Sequence, residues 1–129
     1  MSLKDQLKVL VVDDTSVSRM LVIDALQTIG VRNISFAKDG AAALKTMMTS
    51  PSHLVISDLN MPNLDGIGLL KALREHKPTS KVGFILLTGV SDKATIDRAR
   101  QYGLNNYVAK PFTPVALRAS IEAVVGKLG

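Results

Sequence analysis

Five short apolar runs alternate along the chain with five stretches of helical periodicity, and this alternation predicts βα units built around a parallel sheet. The runs place strands near Val9 to Val12, Ile34 to Ala37, Leu54 to Ser57, Phe84 to Thr88 and Tyr107 to Ala109. Their continuous Val/Ile/Leu character suits strands covered on both faces. Between them, Val22, Ala25, Leu26 and Ile29 recur at i, i+3, i+4 and i+7, and Leu117, Ile121, Val124 and Val125 at i, i+4, i+7 and i+8. Each stripe reads as the core-facing side of a helix, not as a partner groove. Thr113-Pro114 supplies an N-cap with proline at the first helical position, Gly30 and Gly103 follow the first and fourth helices, and Lys77-Pro78 would end the third. No repeat or linker interrupts the pattern, so residues 1–129 are expected to form one doubly wound (βα)₅ domain with helices on both faces of the sheet.

Composition narrows the function classes. A chain of 129 residues has room for a single core and none for a second folded module, so any output is expected from its own surface. No apolar run approaches the roughly 18 residues of a membrane span, and Met1 to Lys8 contains no apolar signal core. A cytoplasmic location is the expectation, without membrane insertion. Zero Cys removes disulfides, thiol catalysis and Cys-based zinc sites. His53 and His76 stand apart and read as loop or helix-end residues. The formal charge of +5 could suit nucleic acid, but the basic residues are dispersed and aromatics make up only 4%, so no nucleic-acid partner is expected. Setting aside Asp13, Asp14 and Asp58 leaves 16 basic against 8 acidic residues. That is an acidic pocket in a basic shell, suited to a cation inside and anions approaching from outside.

Open parallel sheets bind ligands at the carboxyl ends of their strands, near the point where strand order reverses. Here strand one ends in Asp13-Asp14, strand three in Asp58, strand four in Thr88 and strand five in Lys110. Three carboxylates brought to one edge repel, and one of them takes up a proton unless a cation neutralises the group. An all-oxygen donor set favours Mg²⁺, Mn²⁺ or Ca²⁺ over zinc. Lys110 adds a movable point charge and Thr88 a hydroxyl, the kinds of group that hold an incoming phosphoryl, which makes Asp58 a nucleophile. Backbone N–H groups such as those of Gly89 or Asn60 could share the charge on the equatorial oxygens. Asp65, in Leu64-Asp65-Gly66, reads as a turn or helix cap and not as a ligand.

These residues carry a resemblance along nearly the whole chain. Val11-Val12-Asp13-Asp14, Asp58-Leu59-Asn60-Met61-Pro62-Asn63-Leu64-Asp65-Gly66, Leu87-Thr88-Gly89 and Tyr107-Val108-Ala109-Lys110-Pro111-Phe112 resemble the successive motifs of a CheY-type response-regulator receiver domain. The resemblance implies a flavodoxin-like sheet of order 2-1-3-4-5, and CheY-type domains are themselves among the sheets from which the edge-binding rule is drawn. It implies phosphorylation of Asp58, and Mg²⁺ held by Asp14, Asp58 and the backbone carbonyl of Asn60, with Asp13 acting through a coordinated water. Lys110 would pair with the phosphoryl group, Thr88 would move to hydrogen-bond it, and Tyr107 would turn inward as Thr88 shifts. A cis Lys110-Pro111 peptide is expected, against about 5 to 6% for X-Pro bonds generally. The expected phosphodonor is a phosphohistidine on a CheA-like histidine kinase. The expected output is a change in the face formed by the fourth helix, fifth strand and fifth helix, where Lys93, Arg98, Arg100 and Arg118 lie. A flagellar motor switch protein is a candidate target, and the chain is expected to be monomeric and not a turnover enzyme.

Three competing readings have distinct signatures. A phosphate sink for a shared kinase would use the same residues without a target. A Mg²⁺-dependent phosphohydrolase of the haloacid-dehalogenase type needs an Asp-x-Asp motif that Asp13-Asp14-Thr15 does not provide. A flavin carrier needs a phosphate-cradling first loop, whereas Asp13 to Ser18 is acidic and glycine-free. The sequence also departs from many CheY proteins at Val90, which stands where they carry Glu and which, with Asn60, would border the path of the hydrolytic water. Without a water-orienting polar group the acyl phosphate should be long-lived. Val90→Glu is therefore expected to shorten its half-life, followed by the decay of the phosphorylated species in intact-mass spectra; an equal or longer half-life would remove the argument.

Overall fold

The computed structural model describes residues 2–89 and 93–129. Val90 lies outside the described residues. Five parallel strands, β1 (Lys8–Val12), β2 (Asn33–Ala37), β3 (Leu54–Asp58), β4 (Gly83–Thr88) and β5 (Asn106–Ala109), form one sheet in the order β2-β1-β3-β4-β5. The five expected helices are α2 (Ser16–Thr28), α3 (Gly40–Thr49), α4 (Gly66–Glu75), α5 (Lys93–Gln101) and α6 (Pro114–Val125). A four-residue helix before β1, α1 (Leu3–Gln6), had no signal in the apolar pattern. A 3₁₀ turn over Lys77–Thr79 follows α4, whose last residue is Glu75, so the Lys77-Pro78 pair marks the turn just beyond the helix.

Alternation along the strands divides the core into two layers. Val9, Val11, Leu54, Ile56, Ile85 and Leu87 point to one side, where they meet the α2 stripe of Val22, Ala25, Leu26 and Ile29 and the α6 residues Leu117 and Ile121. Val124 and Val125, the rest of the α6 stripe, are only partly buried against this layer. Leu10, Val12, Val55, Phe84 and Leu86 point to the other side, against Met47 of α3, Leu69, Leu70 and Leu73 of α4, and Ile96 of α5. The central strands β1, β3 and β4 are thus buried on both faces, as their composition implied. The edge strands differ. In β2, Ser35 and Phe36 are exposed, and β5 buries only Val108. Each edge strand has a neighbour on one side only, and the helices do not reach far enough to cover its outer residues.

End chemistry follows the sequence. The Thr113 hydroxyl accepts from the Ala116 amide at 3.1 Å with Pro114 at the start of α6. Gly30 and Gly103 take φ of 95° and 86°, a region that favours glycine. His76 closes α4, and His53 precedes β3, its Nδ1 accepting the Lys8 amide at 3.0 Å. The two histidines are end residues, as expected.

The entry to α4 fixes the height of β3 beside it. The Asp65 carboxylate caps this helix by accepting from the Gly68 amide at 2.7 Å, and the Gly66 amide donates to the Leu59 carbonyl at 2.9 Å. A Cβ at position 66 would stand 2.5 Å from the Asp58 carbonyl oxygen and 3.1 Å from the Leu59 Cα. Two of the obstacles are backbone and the third, Leu86 Cδ1 at 2.8 Å, belongs to a fully buried side chain, so relief requires moving the helix away from β3. In an ordinary helix Gly→Ala gains about 0.5–1 kcal/mol; here the crowding of about 1–3 kcal/mol should outweigh that gain. Gly66→Ala is expected to lower the urea midpoint followed by circular dichroism, and a raised midpoint would contradict the close approach.

Candidate functional site

The sheet order sets the order of side chains along its carboxyl edge. Asp13 follows β1, Asp58 ends the adjacent β3, Thr88 ends β4, and Lys110 follows the outer strand β5. The backbone ladder continues past the strand ends and keeps these residues in register. The Asp13 amide donates to the Ala37 carbonyl at 3.2 Å, the Leu59 amide to Leu87 at 3.0 Å, and the Lys110 amide to Thr88 at 2.8 Å. Lys110 stands two strands from Asp58, a separation of about 9–10 Å. A lysine stem is long enough to cross the end of β4, and the ammonium arrives 3.0 Å from Asp58 Oδ1. The Lys110-Pro111 peptide is cis, as expected.

Three carboxylates converge here. Asp13, Asp14 and Asp58 each offer an oxygen within 4.8 Å of the others, while Asp65, spent as a helix cap, is not among them. Their environments differ. Asp14 is exposed, Asp58 has 15% of its side chain accessible and Asp13 has 1%. Burial raises the Asp58 carboxyl above its ordinary value; the Lys110 hydrogen bond and charge pull it back, the Asp13 carboxylate adds to the rise, and the Leu59 amide opposes it. The rise prevails, as it does when a carboxylate is desolvated beside another. Asp13 Oδ1 accepts both the amide and the hydroxyl of Thr15, at 3.0 and 3.1 Å. Among the described residues its Oδ2 accepts no hydrogen bond, and the nearest cation there is Lys110 Nζ at 3.8 Å. A buried carboxylate oxygen without a donor is costly. An all-oxygen cluster with an orphaned, buried anionic atom is chemically fitted to a hard divalent cation.

Other expected residues lie around this centre in different relations to it. Thr88 is buried at the end of β4, and Gly89 beyond it is exposed, with none of the described residues within 4 Å of the place a Cβ would occupy. Asn60 is exposed in the loop after β3. Tyr107 is half-buried on β5 and borders a groove of about 240 Å³ together with Lys93 and Arg100. Arg98 is exposed outside that groove. Lys93 pairs with Asp97 at 3.2 Å one helical turn away. Arg118 is drawn toward the C-terminus, where it donates to the Gly129 carbonyl at 3.1 Å and pairs with Glu122 at 3.5 Å. Of the four basic residues expected on the output face, only Lys93 and Arg100 gather beside Tyr107.

Sequence reasoning missed three residues in the lining of the site. Thr15 is legible in retrospect, since an aspartate commonly accepts the amide two residues on. Arg19 donates to the Asp13 carbonyl at 2.9 Å while its guanidinium lies 4.8 Å from the centroid of the exposed Phe36 ring. Ser18 Oγ accepts from Lys110 Nζ at 3.1 Å across 92 residues of sequence, and no local pattern announces it.

Comparison with known proteins agrees with this arrangement. The family model of the response regulator receiver domain matches residues 9–122. A probable chemotaxis protein CheY of Rhizobium etli is 50% identical over 99% of this chain and 99% of its own length. Chemotaxis protein CheY-3 of Vibrio cholerae is 32% identical over 98% of this chain and 97% of its own. Among solved structures, chemotaxis protein CheY4 of Vibrio cholerae superposes with a TM-score of 0.85 at 30% identity, covering 92% of this chain and 98% of that one. The receiver domain of a sensor histidine kinase from Pseudomonas aeruginosa, solved with a magnesium ion coordinated in its active site cleft, gives 0.84 at 25% identity over 94% and 98%. CheY-type receiver domains are signalling switches and not turnover enzymes, so the phosphohydrolase reading falls, and the flavin-carrier reading with it. With the family model spanning both the acidic cluster and Lys110, this chain belongs to the response regulator receiver domains.

Proposed function

We propose that this chain is a chemotaxis switch that accepts a phosphoryl group on Asp58 from a CheA-like histidine kinase and signals through the face of α5, β5 and α6. The observation that carries the reading is the contact of Lys110 Nζ with Asp58 Oδ1 at 3.0 Å beside the orphaned Asp13 Oδ2. Receiver domains in general bind Mg²⁺ at an Asp cluster and take phosphoryl groups from histidine kinases. Asp14, Asp58 and the Asn60 carbonyl would hold the ion directly and Asp13 through water; the Pseudomonas receiver, solved with a magnesium ion coordinated in its active site cleft, supports magnesium as the ion. Mg²⁺, when bound, supplies positive charge that offsets the meeting of a carboxylate with a phosphoryl group.

The protein's own groups do the rest. A carboxylate oxygen of Asp58 forms a bond to phosphorus, the bond from phosphorus to the donor nitrogen breaks, and the electron pair leaves with the donor imidazole. The Lys110 ammonium, already within hydrogen-bond distance of Asp58, moves with little displacement onto a phosphoryl oxygen. The Gly89 or Asn60 amide can donate to the phosphoryl oxygens. Thr88, at the end of β4, hydrogen-bonds the phosphoryl group once it moves toward it, and Tyr107 on the adjacent β5 follows. Phosphorylation then favours the conformer in which the Tyr107 groove beside Lys93 and Arg100 is altered, a population shift read by the target. The relatives named as chemotaxis proteins support a motor switch protein as that target. The donor is itself a protein: exposed Val17, Met20 and Leu21 form an apolar strip on α2, next to a groove of about 530 Å³ that Lys110 borders.

Incubation with Mg²⁺ and acetyl phosphate is expected to give a single phosphate adduct by intact mass on the wild type and none on Asp58→Asn; an undiminished adduct on the mutant would sink the assignment. Capture of a flagellar switch protein only after phosphorylation is the expected output, and a phosphorylated protein that captures none would act as a sink. The acidic cluster gives a separate test. In the absence of divalent cations, Asp13→Asn relieves carboxylate repulsion and should raise Tm by about 2–5 °C. The rise in Tm that Mg²⁺ produces in the wild type should shrink in the same mutant, and a mutant that melts lower without metal would contradict the electrostatic account.

A further inference from the structure

The Lys110 ammonium has three protons to place and a flexible four-carbon stem behind it. One proton goes to Asp58 Oδ1 at 3.0 Å, and Asp13 Oδ2 lies at 3.8 Å, beyond hydrogen-bond distance. Another goes to Ser18 Oγ at 3.1 Å. Ser18 stands in the first turn of α2, where a serine hydroxyl ordinarily bonds a nearby backbone group. Here it accepts from a side chain at the opposite end of the sequence. Being neutral, this acceptor fixes the ammonium without diminishing its charge, whereas a third carboxylate in that place would compete with Asp58 for it.

We infer that Ser18 is a positioning residue for phosphoryl transfer, acting through Lys110 and touching neither Asp58 nor the donor. The inference rests on the reading of Asp58 as the acceptor. When the Asp58 oxygen bonds to phosphorus and the leaving group departs with its electron pair, the negative charge to be met shifts from the carboxylate to the phosphoryl oxygens. Lys110 must follow that shift. The hydroxyl at position 18 gives it a fixed pivot, so that the ammonium swings over a short arc and is not lost to solvent, from which 27% of its side chain is still reachable. Pre-positioning of this kind lowers the barrier without changing how tightly a small donor binds.

The test is the initial rate of adduct formation from acetyl phosphate in excess Mg²⁺, measured by intact mass at several donor concentrations. Ser18→Ala should lower the limiting rate about three- to tenfold, the size expected for the net contribution of one ordinary hydrogen bond, and leave the half-saturating concentration unchanged. Ser18→Thr, which keeps a hydroxyl at the same place, should restore most of the rate. In a Lys110→Met background, Ser18→Ala should have no further effect, whereas a purely structural defect would persist there. A wild-type limiting rate in Ser18→Ala, or an equal loss in the Lys110→Met background, overturns the inference while Asp58 stands as acceptor. Absence of any adduct on the wild type removes both.

Discussion

Three carboxylates held within 4.8 Å of one another, with a single ammonium reaching them from the far strand, is the constraint around which the carboxyl edge of this sheet is built. Left alone the acids would push the β1 and β3 ends apart or take up a proton. Neither is needed, because the strands below them are fixed by two layers of core and the amides beside them continue the ladder into the loops. The repulsion is therefore retained in the fold and remains available to a cation. The raised Asp58 carboxyl and the unpartnered Asp13 Oδ2 are two signs of the same condition.

The rest of the architecture can be read as support for that edge. Parallel strands with right-handed crossovers deliver successive loops to one end, and the order β2-β1-β3-β4-β5 sets Asp13 beside Asp58 and leaves Lys110 two strands away. A short side chain after β5 could not take part. Lysine can, but length brings freedom, and the α2 contact through Ser18 limits it. The helix faces serve the same end from below: α2 and α6 cover one side of β3, α3 and α4 the other, so this strand is buried along Leu54 to Ser57 and opens only at Asp58.

How much of this was legible follows from the range of the interactions concerned. The central strands, the α2 stripe, the Thr113 cap and the Asp65 cap are set by neighbours a few residues away, and the sequence pattern places all of them. The strand ends gave Asp13, Asp14, Asp58, Thr88 and Lys110 because topology converts four separate segments into one edge. Edge exposure in β2 was not legible, since Phe36 is apolar and only its position at the margin of the sheet, together with Arg19 lying over its ring, explains why it faces outward. The α1 turn depends on contact with the far terminus, the Lys4 amide donating to the Leu128 carbonyl at 3.1 Å. Ser18 and the spent Arg118 belong to the same class: their partners are chosen by the fold and have no local signature.

Gly66 places a different kind of demand on the chain. It has no proton to give, no charge and no side chain, yet any side chain at all would meet the carbonyl oxygen of Asp58. A reading that equates necessity with chemistry would count such a position as part of the reactive site. Its contribution is an absence of volume. β3 and the helix after it approach too closely for a Cβ to fit between them, so the identity of residue 66 is dictated by space and not by chemistry.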